Sequence, residues 1–341
     1  MKRGVALSLC LLALLAAAPA PAAETRRWVV DTTADLLAGH GEGVEVSPDG
    51  RLRWALGWSA GPAFDEPVVM AGARTADGAL LVATSHPARL YRVRGAELEL
   101  LAEVPAEQVT AMLARDRNAV VLATAAPSAL WEWSGGKLTE IGRPAAGAIW
   151  DLALHRGAVV AAGGSPATLY RLAGRGLERW LELPDLHARC LASDGERLLV
   201  GTSGKGLVLG VDAAGRLGIL VDSPFTEISD LAVGGGAVWA AALVGEPAAP
   251  KAADKGAQEE TGEGELQAEV SGGSELKLPK VNGATATSEI LRVTPEGGLL
   301  RVHRFTKEVA SAIAWDGEGL LVGTGWEGEV WRFVADGGAR L

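Results

Sequence analysis

The chain repeats itself, and that constrains its fold more than any single motif. A short apolar run closing on a small residue recurs as Leu80-Leu81-Val82-Ala83-Thr84, Val120-Val121-Leu122-Ala123-Thr124, Val159-Val160-Ala161-Ala162-Gly163 and Leu198-Leu199-Val200-Gly201-Thr202. A fifth copy starts at Val238-Trp239-Ala240, and a sixth is Leu320-Leu321-Val322-Gly323-Thr324. The first five starts are 40, 39, 39 and 40 residues apart, and the last gap of 82 is one period plus an insertion of about 42. A fixed period of this length marks a repeat architecture rather than one continuous core.

Each run leads through a turn to a second apolar segment, as in Leu90-Tyr91-Arg92-Val93, Leu169-Tyr170-Arg171-Leu172 and Val330-Trp331-Arg332-Phe333. An upstream segment (Val68 to Ala73, Val109 to Ala114, Ile149 to Leu154) and a downstream one (Leu98 to Val104, Leu217 to Val221) complete the period. Asp77-Gly78, Asp194-Gly195 and Asp316-Gly317 supply the turns expected between antiparallel strands. Four short strands per period predict an all-β chain, a six-bladed β-propeller of four-stranded antiparallel blades, within one domain spanning 23–341.

At the N-terminal end, Gly43 to Trp54 reads as a third strand, a turn and a fourth strand, while the C-terminal end reads as stopping after a third strand, with a turn through Asp336-Gly337-Gly338. The N-terminal strand is therefore expected to complete the last blade and remove an exposed edge. The alternative is seven blades, with residues 24–60 forming one of their own. Through its Ser47-Pro48-Asp49-Gly50 turn and its recurring Leu-Leu-Val-Gly-Thr and Leu-Tyr-Arg segments, nearly the whole mature chain resembles exported bacterial propellers grouped with WD40-like and NHL-like repeat proteins. The resemblance implies a propeller and no particular chemistry. The Gly-His and Trp-Asp pairs of true WD40 repeats are absent in register, so no WD40 interaction surface carries over.

Met1-Lys2-Arg3, the apolar run Val5 to Leu15 and Ala20-Pro21-Ala22 read as a secretory signal over residues 1–22, predicting an exported protein, periplasmic or secreted, with no membrane span after its removal. Cys10 lies inside the apolar run, which does not fit a lipidation site. The net charge of −10 becomes −12 once Lys2 and Arg3 are gone, and no basic block remains to meet a phosphate backbone, so nucleic acid is not an expected partner. The mature chain keeps one cysteine, Cys190, expected to be a buried and inert thiol.

Gly201-Thr202-Ser203-Gly204-Lys205-Gly206 looks like a phosphate-binding loop, but Leu199 stands where that motif needs Gly and Gly206 where it needs Ser or Thr. It also runs into a strand instead of a helix, so it is expected to be a hairpin turn, as is Gly323 to Gly328. Sialidase-type Asp boxes, the Trp-docking repeats of quinone-dependent dehydrogenases and the Glu, Asn and Asp of lactonase-type metal sites find no match. The five histidines (His40, His86, His155, His187 and His303) are scattered and read as surface or turn residues. No cofactor or metal is expected. Tyr91, Trp131, Tyr170 and Trp331 recur at one third-strand position and read as packing aromatics between blades.

Aligning the first strands places Val69, Thr110, Trp150, Arg189, Ser229 and Ala310 at one position, with Met70, Ala111, Asp151, Cys190, Asp230 and Ser311 beside them. One of these rings is expected to line the mouth of a central channel, making Trp150, Asp151, Arg189 and Asp230 the candidate ligand contacts. Residues 245–288 break the repeat with a composition rich in Ala, Glu, Lys and Gly, and are expected to form a disordered acidic loop within blade five. These features point to a non-enzymatic scaffold or binding module taking a protein or small-molecule partner at the top face. The alternative is a propeller hydrolase or lyase with its site at the channel mouth.

Overall fold

A computed structural model describes residues 44–46, 52–54, 61–244, 280–281, 284–285 and 288–340, except 117–118, 146, 175, 296, 307, 326–327 and 335–336. The expectations for the signal segment and for most of the insertion lie outside these residues. Every regular element described is a strand, paired antiparallel to its neighbours. The chain runs through the same meander six times. In the first repeat it is Val68–Arg74, Leu80–Ser85, Arg89–Arg94 and Glu97–Glu103. In the fourth it is His187–Ser193, Leu198–Ser203, Leu207–Val211 and Leu217–Asp222.

The second strands explain why the period is so visible. Leu198–Ser203 is buried at every position, because it has strands on both sides and a neighbouring repeat against each face. A strand buried on both faces selects a continuous apolar run instead of alternation. Fourth strands such as Leu217–Asp222 lie at a sheet edge and are mostly exposed, which blurs their pattern.

The cores lie between repeats. Leu81, Ala83 and Leu90 of the first repeat pack on Val109, Val120 and Leu122 of the second. Ala162 and Leu169 of the third meet Leu198 and Leu209 of the fourth, and Trp239 and Ile290 of the fifth meet Leu320 and Phe333 of the sixth. Tyr170 is buried in the seam between the second and third repeats, and Trp131 and Trp331 pack against others, as expected of the third-strand aromatics; Tyr91 is buried against Phe64 and Glu66.

Every first strand carries a register shift, which leaves Met70, Thr110, Trp150, Arg189, Ser229 and Ser311 as the extra residues. The sequence alignment is therefore one residue out at both ends, since Met70 and Ser311, not Val69 and Ala310, are equivalent to Trp150. The residue before the bulge is wholly buried in five repeats (Val109, Ile149, Ala188, Ile228 and Ala310, all 0%), whereas Val69 is 50% exposed. Each of the five rests on the preceding repeat.

A second correction concerns the C-terminal end. Gly337–Arg340 is the fourth strand of the sixth repeat, paired with Val330–Val334, so the repeat completes itself without an N-terminal strand. The expected N-terminal hairpin is present, with Val44 opposite Trp54 and Val46 opposite Leu52, and Val44–Val46 runs close to Gly337–Arg340. In the fifth repeat Ser288 is already in the third strand, opposite Leu243 and fully buried, one residue inside the boundary set for the insertion. Lys280–Val281 and Ala284–Thr285 pair as a small hairpin.

Candidate functional site

The stretch that resembles a phosphate loop is a hairpin turn that already holds an anion. Asp185, from the preceding connection, accepts the Lys205 amide at 3.1 and 3.0 Å and the Thr202 hydroxyl at 2.5 Å. Gly204 has φ +122°, and a Cβ there would lie 2.3 Å from an Asp185 oxygen. The Lys205 ammonium donates to the Pro184 carbonyl at 2.7 Å. A carboxylate fills the cradle and would repel a phosphate.

The end of a second strand meets the start of the next repeat's first strand: Ser85 opposite Gln108, Gly164 opposite His187 and Ser203 opposite Glu227. Turns between second and third strands thus share one face with the connections between repeats. The four candidate residues lie near this face on neighbouring first strands, and the structure divides them in two.

Asp151 and Asp230 face backbone. Asp151 Oδ1 accepts the Leu152 amide and Oδ2 the Leu191 amide of the next repeat, both at 2.7 Å. Asp230 repeats the arrangement on Leu231 at 2.8 Å and on Ile313 at 2.7 Å. Burial pushes Asp151 up to about 7 against the pull of these amides, and Asp230 up to about 6. Between them, the Cys190 thiol donates to the Ile228 carbonyl at 3.4 Å, and burial keeps it protonated. Thr110 and Ser229 donate to Ile149 and Ala310 carbonyls at 2.7 and 3.0 Å. These side chains stitch one first strand to the next.

Trp150 and Arg189 face each other at the bulges. The guanidinium lies 5.6 Å from the indole centroid and is tethered through Nε to Glu227 at 3.2 Å. Ser203 donates to the other Glu227 oxygen at 3.0 Å. The Arg189 side chain is 39% exposed, and among the described residues its terminal nitrogens have no partner. His187 meets Trp150 edge-on at 6.2 Å; Trp150 Nε1 and His187 Nδ1 are buried without a hydrogen-bond partner among the described residues.

His187, Ser203 and Glu227 escaped the sequence reading. The signal was there: His187 and Glu227 each stand two residues before a bulge, on the strand face that carries Arg189 and Ser229. Glu227 also pairs with Leu243, the last strand residue before the insertion, which roots that segment beside Arg189. His155 and His303 depart from the surface reading too, whereas His86 is exposed in a turn and His40 lies outside the described residues. His155 is buried and bonded to Ser193 Oγ at 2.8 Å, and His303 lies among Phe305, Trp331 and Phe333.

No family model matches the chain, and no curated protein is similar to it in sequence. Its fold is similar to that of virginiamycin B lyase from Staphylococcus aureus, solved with quinupristin, at a TM-score of 0.55 and 10% identity over 86% of this chain and 85% of that one. Kuenenia stuttgartiensis hydrazine synthase gives 0.56 and 15% over 80% and 78%. The extracellular domain of a putative one component system from B. thetaiotaomicron gives 0.53 and 12% over 82% of this chain and 38% of that one. At such identities the likeness is one of fold. With the repeated meander and its interlocking seams, it defines a β-propeller repeat protein.

Proposed function

We propose that the chain is an exported propeller of six four-stranded blades, serving as a binding module for a protein or small-molecule partner on the face that bears Trp150 and Arg189. The observation that carries this reading is the way Arg189 is held. Glu227 fixes the guanidinium through Nε, Trp150 lies beneath it, and the terminal nitrogens are left for a partner's acceptors. An arginine pre-set against an aromatic ring binds at low entropic cost, and such pairs recur at the energetic centres of interfaces.

Export is supported by the basic start, apolar run and Ala-Pro-Ala of residues 1–22, and among the described residues no helix is long and apolar enough to cross a membrane. Six blades are supported by the six meanders, and the N-terminal hairpin is assigned to closing the array. A second reading, a hydrolase or lyase at the same place, draws on the imidazole of His187 beside Trp150 and near Arg189.

Quantitative capture from an extracytoplasmic extract tests the binding role. Trp150→Leu and Arg189→Gln should each reduce recovery of the captured partner about tenfold, while Arg216→Ala on an outer turn leaves it unchanged. Identical recovery with all three variants would contradict the reading.

A further inference from the structure

Between the fourth and fifth repeats, outer strands and the connection through Ser223 and Pro224 surround a cavity of about 260 Å³. An apolar cavity of about 150 Å³ takes a benzene, so this space suits a small aliphatic molecule. Two other seams are filled among the described residues. Trp180 packs on the core shared by the third and fourth repeats, with the Arg171 guanidinium 3.5 Å from its ring, and His303, Phe305, Trp331 and Phe333 fill the seam between the fifth and sixth.

The open wedge has a charged floor and an apolar sleeve. Glu289 is wholly buried and takes Arg301 Nε at 2.9 Å and the Arg304 guanidinium at 2.8 Å. Arg301 is 44% exposed, and only its Nε is engaged among the described residues, so its terminal nitrogens remain available at the cavity. Val221, Pro224, Leu291 and Leu299 form the sleeve, and Leu299 is 50% exposed. The exposed Asp222, which makes no ion pair among the described residues, stands on the same wall.

We propose that this wedge binds a small aliphatic α-amino acid as its zwitterion. Arg301 takes the carboxylate, Asp222 the ammonium, and the sleeve the side chain. A cation and an anion across one small apolar cavity match a ligand that carries both charges on adjacent atoms. None of Trp150, His187, Arg189 and Glu227 lines it.

Isothermal titration calorimetry of the whole protein with L-leucine tests it, with 4-methylpentanoate and 3-methylbutylamine as ligands that each lack one charge. Leucine should bind saturably, and each single-charge ligand about tenfold more weakly or less. Asp222→Asn should weaken leucine about tenfold and leave 4-methylpentanoate unchanged. Arg301→Gln should weaken both, and since it strips a partner from buried Glu289, Leu299→Trp provides a second variant that fills the cavity from an exposed position. Arg189→Gln should change nothing. Absence of saturable leucine binding, 4-methylpentanoate binding as tightly as leucine, or leucine binding indifferent to Asp222→Asn and Leu299→Trp would each overturn the proposal.

Discussion

Asp151 in the third repeat holds the backbone of Leu191 in the fourth, its Oδ2 accepting that amide at 2.7 Å while Oδ1 accepts its own neighbour, Leu152. Asp230 does the same between the fifth and sixth repeats. Two carboxylates that look like ligand contacts in sequence act as joints between repeats.

These joints make stability depend on pH. Asp151 sits near 7 and Asp230 near 6, both raised by burial above the ordinary 3.8 of an aspartate. A folded-state pKa above the unfolded one stabilises fully below about pH 4, and the contribution is lost as pH rises through about 6 to 7. The melting temperature should therefore fall between about pH 5 and about pH 8, and Asp151→Asn should flatten the fall. A melting temperature that rises across this window in the wild type would contradict the assignment.

Lys205→Ala should leave both stability and nucleotide binding unchanged, since among the described residues the exposed ammonium meets only a carbonyl and surface substitutions cost within about 0.5 kcal/mol. Asp185→Ala should cost about 1 to 3 kcal/mol, because it frees the Thr202 hydroxyl and the Lys205 amide together. Denaturant unfolding measures both. A saturable ATP signal lost in Lys205→Ala would restore the phosphate-loop reading.

How much of this was legible follows from burial. The second strands could be read directly, because a run such as Leu198–Ser203, covered on both faces, has nowhere to place a polar residue. Gly337 and Gly338 read as a turn and proved to be strand, since backbone pairing to Phe333 and Val334 makes no demand on side chains. The first-strand bulges shifted Val69 and Ala310 out of register because an extra residue leaves no mark in an apolar segment. The roles of Asp151 and Asp230 could not be read at all, as an aspartate on an inner strand looks the same whether it meets a ligand or an amide.

Deleting residues 24–60 should destabilise the whole array and promote aggregation. Val44–Val46 runs close to Gly337–Arg340, the outer strand of the sixth repeat, so the deletion removes the segment beside that sheet edge. Size-exclusion chromatography and thermal melting report the outcome. A monomer with an unchanged melting curve would show that segment to be dispensable.

Excising residues 246–287 should preserve the fold, because Leu243 and Ser288 are already paired across the gap and a short turn can join them. Partner capture should change, since the segment is rooted beside Glu227 and Arg189. Collapse of the fold on excision, or capture identical with and without the segment, would count against this.

Thermal melting of Asp151→Ala beside Arg189→Gln at one pH tests most directly the proposed division of labour, in which Asp151 holds the repeats together and Arg189 is kept for a partner. Asp151→Ala strands two amides at about 1 to 3 kcal/mol each and should lower the melting temperature by several degrees or more. Arg189→Gln loses a part-exposed ion pair worth about 0 to 1 kcal/mol and should shift it by no more than about 2 °C. Equal losses, or a larger loss in Arg189→Gln, would contradict it.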